Sequence, residues 1–474
     1  MAVLMCLSIV LPACGEKTTD ITDTGDVTGT ESQETTPAAP SVPVKNFGGR
    51  EFKVFTSNWW DNNTLKVQDV RPEEYNGELV NDAAYERVVK IEDIYNCKIT
   101  QIQGVYELLD DFNKLQTSIQ AGEDFCDIAM MRGLYYTKLF TDNYIIDLDK
   151  LENIDFNNPW WQKDCSEALR IGGKRYGVSG YMSMVEITLV CTICFNKTVI
   201  TDYNLESPYE LVKDGKWTLD KMVEMAKVVT HDLNGDGIMT WEDMWGINYS
   251  RDTVWNLLNS CGVKMLELDS KGYPQIVIDN EQNLPRAQNV LVKFFNEDYC
   301  ANYRRVPNAF DDGTVLFNFR YAGSVIGARV FDIEMGVVPV TKYDEAQNDY
   351  MSNIYGLGLP IICVPVTNND MADTGLFMEA FSYEGYKNIV PVYYETVLKT
   401  KGARDNESAD MIDYIFNNLS YDTGTLLNFG DLTQTICALA ETQDTNLASH
   451  IARNKAKCEA EIDSIMERIM SEGK

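Results

Sequence analysis

Hydrophobic and polar positions change period in a regular way along the first third of the chain. Glu51-Phe52-Lys53-Val54-Phe55-Thr56 reads as a short strand, whereas Leu79 to Tyr95 carries apolar residues at Ala84, Val88, Ile91 and Ile94 or Tyr95, the spacing of an amphipathic helix. A strand follows at Cys97 to Ile102. Leu108, Phe112, Leu115 and Ile119 then form one helical stripe that ends at Ala121-Gly122, and Asp127-Ile128-Ala129-Met130-Met131 reads as a buried strand. Strand, helix, strand, helix, strand is a doubly wound unit, so the sheet should be mainly parallel. In such sheets small molecules bind off the carboxyl ends of the strands, here Ser57-Asn58-Trp59-Trp60, Gln103-Gly104-Val105-Tyr106 and Arg132-Gly133-Leu134-Tyr135.

Residues 153 to 181 connect this unit to a second one through a Gly-rich turn at Gly172-Gly173. Trp160 and Trp161 lie in that connection and are expected to pack it against the body. The second unit opens with a strand predicted at 187 to 195. Thr218 starts a helix with Leu219, Met222, Val223, Ala226 and Val229 on its buried side, and Trp255 lies at the start of another that ends near Ser260-Cys261-Gly262. Asp311 to Tyr321 reads as a strand running into a polar and aromatic turn, and Met335 to Pro339 as an apolar strand. A further apolar run covers Leu357 to Pro365. From Asp373 onward the pattern is helical and closes with an exposed, charged helix from Thr445 to Ile469.

Between two of these elements, Asp232-Leu-Asn-Gly-Asp-Gly-Ile-Met-Thr-Trp-Glu-Asp243 has the spacing of a calcium loop. Asp232, Asn234 and Asp236 would supply side-chain oxygens, Gly237 the sharp turn, Ile238 its carbonyl and Asp243 the acid at the twelfth position, where Glu is usual. Such a shell of oxygens leaves no open position for chemistry, so the expected role of Ca2+ is structural. An Asx-rich turn without an ion is the other reading of the same residues.

The N-terminus is of a different kind. An apolar run from Leu4 to Ala13 stops at Cys14-Gly15, too short to cross a bilayer, and looks like a bacterial lipoprotein signal (1–13) in which Cys14 is lipidated. Residues 16 to 45 are Thr, Asp, Glu, Ser and Pro with little to bury, so 14–46 reads as an acidic flexible tether from a lipid anchor to a domain on the extracytoplasmic face of the cell membrane.

Composition narrows the partners. Seventy-two acidic against 41 basic residues give a net charge of −31, which argues against nucleic acid or an anionic membrane surface as the main partner. Twelve cysteines are scattered singly through apolar segments, as core fillers are. Cys191 and Cys194 form C-x-x-C, but an odd offset in a strand puts them on opposite faces, and His231 and His450 are the only histidines.

Pro159-Trp160-Trp161, Gly173-Lys174-Arg175-Tyr176, Pro208 to Thr218, the Asp232 to Asp243 loop and Val338 to Gln347 together resemble a known family. It is the extracellular solute-binding lipoproteins of bacterial ABC importers, the sugar-type family 1 group common in Firmicutes. The resemblance covers nearly all of 47 to 474. It implies an α/β, two-lobe periplasmic-binding-protein-like (type II) fold with a hinge and an inter-lobe ligand cleft, lobe 1 being 47–155 with a return at about 360–405, and lobe 2 being 156–359 with C-terminal helices at 406–474. It further implies a monomer that captures a carbohydrate, an oligosaccharide by the mixed aromatic and polar character of the cleft edge, and delivers it to ABC permease transmembrane subunits. Position nominates Trp59, Trp60, Arg132, Tyr181, Trp255, Arg320 and Tyr321 as ligand-binding residues, with Trp255 foremost because an aromatic near this position often faces the cleft in the family. Two other classes stay open: a secreted glycoside hydrolase acting through paired carboxylates, and a calcium-stabilised surface protein. No nucleophile elbow, HExxH or Cys/His constellation marks an enzyme, and no internal repeat marks a structural array.

Overall fold

The first strand, β1 (Arg50–Thr56), sends Phe52 and Val54 to one side of its sheet and Phe55 to the other, and all three are fully buried. Both faces therefore need a cover. The computed structural model describes residues 42–57, 70–105, 108–296, 298–327, 332–395 and 405–472, which belong to the unit Val42–Lys474. In it Phe52 and Val54 share a core with Val88, Ile91 and Phe377, while Phe55 shares another with Phe112, Leu115 and Ile119. The helix Leu79–Tyr95 begins where the Glu78 carboxylate accepts the Asn81 N–H and ends where Asn96 turns left-handed at φ 47°.

The remaining strands follow in order. β2 (Cys97–Gln103) and β3 (Ile128–Arg132) complete the first unit, and the hairpin β4 (Arg170–Ile171) and β5 (Lys174–Arg175) sits in the connection. β6 (Cys191–Asn196), β7 (Trp245–Tyr249), the hairpin β8 (Leu266–Leu268) and β9 (Pro274–Ile276), β10 (Cys300–Asn302), β11 (Val315–Tyr321) and β12 (Met335–Val338) belong to the second. β13 (Ser352–Asn353), β14 (Pro360–Cys363) and β15 (Leu419–Ser420) close the set.

Two main sheets result. The first has the order β14-β3-β1-β2, with β1 parallel to β2 and β3, and β14 antiparallel to β3. The second has the order β10-β7-β11-β6-β12, parallel from β10 through β11, with β6 antiparallel to both β11 and β12. The chain passes between them at 178–190, where Val178 bridges Ile362 and Val190 bridges Ile354, and again on the stretch from Ile354 into β14. Two lobes joined by crossover segments is the architecture that the sequence implied.

One expected element differs. The strand predicted at 187 to 195 starts later, because Val185–Thr188 forms one helical turn and β6 begins at Cys191. Every residue from Val185 to Phe195 is buried, so the run carries no period to separate a turn of helix from a strand. Local bonds decide it: Thr188 Oγ1 donates to the Val185 carbonyl at 2.6 Å, and Leu189 N–H reaches the same oxygen at 3.2 Å.

The connecting tryptophans pack as expected. Both are buried, and Trp161 Nε1 donates to Glu379 Oε2 at 2.8 Å. Gly246 has to be glycine: a Cβ there would lie 2.4 Å from the Ala226 Cβ, so its absence lets the helix Leu219–Val229 settle on β7. All ten cysteines among the described residues are free and buried, and burial pushes the Cys191 thiol up to about 12, far from reactive. The last helix, Leu447–Glu472, is more than an exposed charged helix, since Leu447, Ile451, Cys458, Ile462, Ile465, Met466 and Ile469 form a buried stripe.

Candidate functional site

Strands from both sheets end where the lobes meet, and a crevice lined by Asn248, Arg320 and Tyr321 opens at that edge. On the first lobe, β3 ends at Arg132 and the helix Gly133–Thr141 starts at once. A Cβ on Gly133 would sit 2.2 Å from the Gly356 carbonyl, and Gly133 N–H donates to the Leu359 carbonyl at 2.9 Å, so this helix start is pressed onto the second crossover. Arg132 is thereby fixed at the sheet edge, buried. On the second lobe, β11 ends at Tyr321, and the helix Thr253–Ser260 follows β7 after a short turn. Its N-cap, Asp252, and Asn256 are four residues apart and so share one face.

That face meets two tyrosines. Asn256 Nδ2 donates to the Tyr321 hydroxyl at 3.2 Å, and the Tyr355 hydroxyl lies near the Asp252 carboxylate. The two rings lie 5.7 Å apart at 36°. Burial pushes the Asp252 carboxyl up, opposed by Arg251, by the Tyr355 hydroxyl and by Arg132. Arg132, Asp252, Asn256, Tyr321 and Tyr355 thus form one electrostatic group built from both lobes and the crossover between them.

Trp255 Nε1 and Asn256 Oδ1 are buried polar atoms without a hydrogen-bond partner among the described residues, and Asp252 Oδ1 has only the Arg251 guanidinium at 3.6 Å. Leaving such an atom unsatisfied costs about 1–3 kcal/mol. Trp255 and Asn256 are neighbours on one short helix, so a donor and an acceptor are left open side by side.

The crevice at the end of β11 has a volume of about 280 Å³ and polar walls from Asn248, Ser250, Asn308, Asn318 and Arg320. Arg320 is held there by an ion pair with Asp311 and by donation from Nε to Asn318 Oδ1 at 2.7 Å. Asn318 in turn donates to Asn248 Oδ1 at 2.7 Å. The network fixes the guanidinium across the pocket wall.

The structure therefore brings Arg132, Trp255, Arg320 and Tyr321 to one region. Trp255 is enclosed on its helix, only 1% exposed, so its ring is no open stacking platform in this arrangement. Tyr181 belongs to another group: its ring stacks on Tyr386 at 5.6 Å, and it neighbours Glu186 on the first crossover. Trp59 and Trp60 lie outside the described residues, as does Cys14. Sequence reasoning missed Asp252, Asn256 and Tyr355. The only local signal was their position, next to Trp255 and just before Gly356 of the crossover.

Glu186 was also missed. It is 2% exposed, it accepts hydrogen bonds from the Ser179 and Tyr421 hydroxyls, and burial pushes its carboxyl up to about 7 against those two bonds.

The Asp232 to Asp243 loop keeps calcium-loop register but uses its carboxylates on itself. Asp232 accepts the N–H groups of Gly235 and Gly237, each at 2.7 Å, and Gly237 takes the left-handed φ of 81° that the sixth position needs. Asp243 accepts Leu233 N–H at 3.0 Å and Thr240 N–H at 2.6 Å. Among the described residues no three His, Cys, Asp or Glu side chains converge as a metal site. The donor set fits calcium in type; an ion would have to draw Asp243 away from Thr240.

No protein-family profile matches the sequence, and no curated protein matches it. Solved structures do. An ABC substrate-binding protein from Listeria monocytogenes in complex with cycloalternan is 14% identical with a TM-score of 0.54, over 89% of this chain and 99% of that one. The galacto-N-biose-/lacto-N-biose I-binding protein of the ABC transporter from Bifidobacterium longum, in complex with lacto-N-biose, is 13% identical with a TM-score of 0.57 over 89% and 99%. The cyclic alpha-maltosyl-1,6-maltose binding protein from Arthrobacter globiformis is 14% identical, again at 0.57, over 88% and 99%. At this identity the likeness is one of fold, and with the two sheets, the crossovers and the crevice it establishes the chain as an α/β protein of the two-lobe periplasmic-binding-protein-like (type II) fold.

Proposed function

We propose that this protein is the substrate-binding receptor of an ABC importer and captures an extracellular carbohydrate, an oligosaccharide, between its lobes. The observation that carries the reading is the pair of buried polar atoms with no hydrogen-bond partner among the described residues, Trp255 Nε1 and Asn256 Oδ1, beside the Tyr321 and Tyr355 rings. Sugar hydroxyls both donate and accept, and sugar C–H faces pack on aromatic rings, so one ligand class answers both features. Of the solved proteins of this fold named above, the Listeria and Bifidobacterium ones are ABC substrate-binding proteins in complex with a carbohydrate and the Arthrobacter one is named for the sugar it binds, which supports the same choice. Titrating the protein with a panel of linear and cyclic oligosaccharides, then recovering the sugar by chromatography, tests it. A receptor binds and returns the sugar intact; a hydrolase yields shorter products.

The same reading places the lobes outside the cytoplasmic membrane, tethered through lipidated Cys14 and docking on permease transmembrane subunits. Intact mass of protein extracted from membranes reads the lipid on Cys14 directly.

Calcium is proposed as a structural ion at Asp232, Asn234, Asp236 and the Ile238 carbonyl, with Asp243 completing the shell. Because an ion that binds only the folded state stabilises it by mass action, millimolar calcium should raise the melting temperature by a few degrees, and Asp232→Ala with Asp236→Ala should remove the increment. The same melting curve in calcium and in chelator would remove the ion from the account.

A further inference from the structure

The two lobes are connected by more than their crossovers. The C-terminal helix Leu447–Glu472 has 26 residues, which at ~1.5 Å per residue makes it about 39 Å long. Most of it is fastened to the second lobe and its neighbours. Lys455 Nζ pairs with Asp279 Oδ2 at 2.6 Å, Asp463 accepts the Tyr273 hydroxyl at 2.7 Å, and Glu461 accepts Gly430 N–H at 2.7 Å.

Its last two turns reach the first lobe. The Arg468 guanidinium donates to the Phe140 carbonyl and, at 2.6 Å, to the Thr141 carbonyl, and it lies over the Phe140 ring at 5.0 Å and the Tyr176 ring at 5.8 Å. Those carbonyls belong to the last turn of the helix Gly133–Thr141, where a cation is favoured, and the Phe140 carbonyl also accepts the Asn143 N–H at 3.3 Å. Arg132 occupies the N-cap position at the other end of that helix.

Beside this contact the tips of two hairpins meet. Gly172, between β4 and β5, donates its N–H to the carbonyl of Gly272, between β8 and β9, at 3.0 Å. The β4–β5 hairpin packs with the first lobe and not with the second, where the expected boundary at 156 had put it, since Arg175 Nε pairs with Asp149 at 3.0 Å. Both glycines have positive φ, 57° and 74°, and a Cβ on Gly272 would fall 2.9 Å from the Gly172 nitrogen. Met466 and Ile469 close over the same spot, for a Cβ on Gly172 would meet Ile469 at 2.9 Å and Met466 at 3.3 Å.

We infer that the C-terminal helix is a strap that holds the lobes closed, and that Arg468 is a positioning residue for ligand capture, acting on the crevice through the helix that carries Arg132 at its start. In this account the Arg468 bonds and the glycine contact exist only in the closed arrangement. Opening then requires the last turns of the strap to let go of the first lobe. The inference rests on the receptor reading for its effect on affinity, but not for its effect on lobe separation.

The test measures both. Spin labels carried on encoded azide residues at positions 98 and 224, exposed on the first and second lobes respectively, report lobe separation in the full chain without any ligand. Arg468→Gln, and Arg468→Gln with Ile469→Ala, should lengthen the mean distance by several ångströms and broaden its distribution, while Arg468→Lys should restore part of the change. With the best-binding sugar of the panel, the same variants should raise the dissociation constant roughly tenfold, because the closed fraction falls. Wild-type distances in folded Arg468→Gln protein overturn the strap. If no sugar binds, the receptor reading fails while the distance measurement still decides the strap. If the double variant does not fold, the single one carries the decision.

Discussion

Lowering the pH from 8 to 5 is expected to stabilise this protein, against the usual direction for acid. Two buried carboxyls contribute most, with Asp252, Asp311 and Glu379 raised in the same direction. Burial pushes Glu186 from its ordinary value of 4.5 up to about 7, and Asp422 from 3.8 up to about 6. A carboxyl whose folded value is raised binds its proton more tightly in the folded chain, so the unfolded chain loses that proton first as pH rises. Stability then falls across the window between the unfolded and folded values, roughly pH 4 to 7, and levels off above it. At 1.36 kcal/mol per unit, each group accounts for about 3 kcal/mol. The net charge of −31 acts in the same sense, because protonation relieves self-repulsion. Below pH 4 the trend reverses, since Asp243, which accepts Thr240 and Leu233 N–H groups, and Asp269, which accepts those of Tyr273 and Lys271, are held under the ordinary carboxylate range. Urea unfolding at pH 5, 6, 7 and 8 reads the slope. Glu186→Gln should flatten it and make the protein more stable at pH 8 than wild type; a wild-type stability that rises from pH 5 to 8 would contradict the assignment.

The second large effect is at Trp255. Because the indole is fully enclosed, Trp255→Ala should cost about 3–5 kcal/mol of folding stability, the range for truncating a buried aromatic. That loss hides any effect on ligand. Trp255→Phe comes closest to separating the two roles, since it keeps a buried aromatic ring and removes, at a net loss of three ring atoms, the N–H that has no partner among the described residues. If that N–H donates to the sugar, the Phe variant should stay folded and bind about tenfold more weakly, ~1.4 kcal/mol, in calorimetric titration. Wild-type affinity in the Phe variant would remove the indole N–H from the site and leave Asp252 and Asn256 as its polar contacts.

Much of the fold was legible because local pattern and tertiary demand agree. The helix Leu79–Tyr95, β2 and the helix begun at Thr218 lie where periodicity and capping put them. The run from Val185 to Phe195 was not resolved, since uniform burial erases the period that distinguishes a strand from a helical turn. The last helix was read as exposed because charged residues outnumber its apolar stripe, although Ile462, Ile465, Met466 and Ile469 are what hold it down.

The site was legible only in part, for a physical reason. Arg132 and Tyr321 end strands, and strand ends can be found in a sequence. Asp252, Asn256 and Tyr355 matter through partners far along the chain, such as Tyr321 and Arg132, and such pairings leave no spacing to read. Glu186 is a similar case: its environment is made by Ser179 nearby and by Tyr421 far along the chain.

The central claim, capture of a carbohydrate between the lobes, is tested most directly by calorimetric titration of the full chain with linear and cyclic oligosaccharides. The account predicts saturable one-to-one binding of at least one of them with a dissociation constant of about 1 μM or tighter, near −8 kcal/mol, lost on Asn256→Ala in a protein that still melts cooperatively. No heat from any sugar in the panel, or binding that Asn256→Ala leaves unchanged, would contradict it.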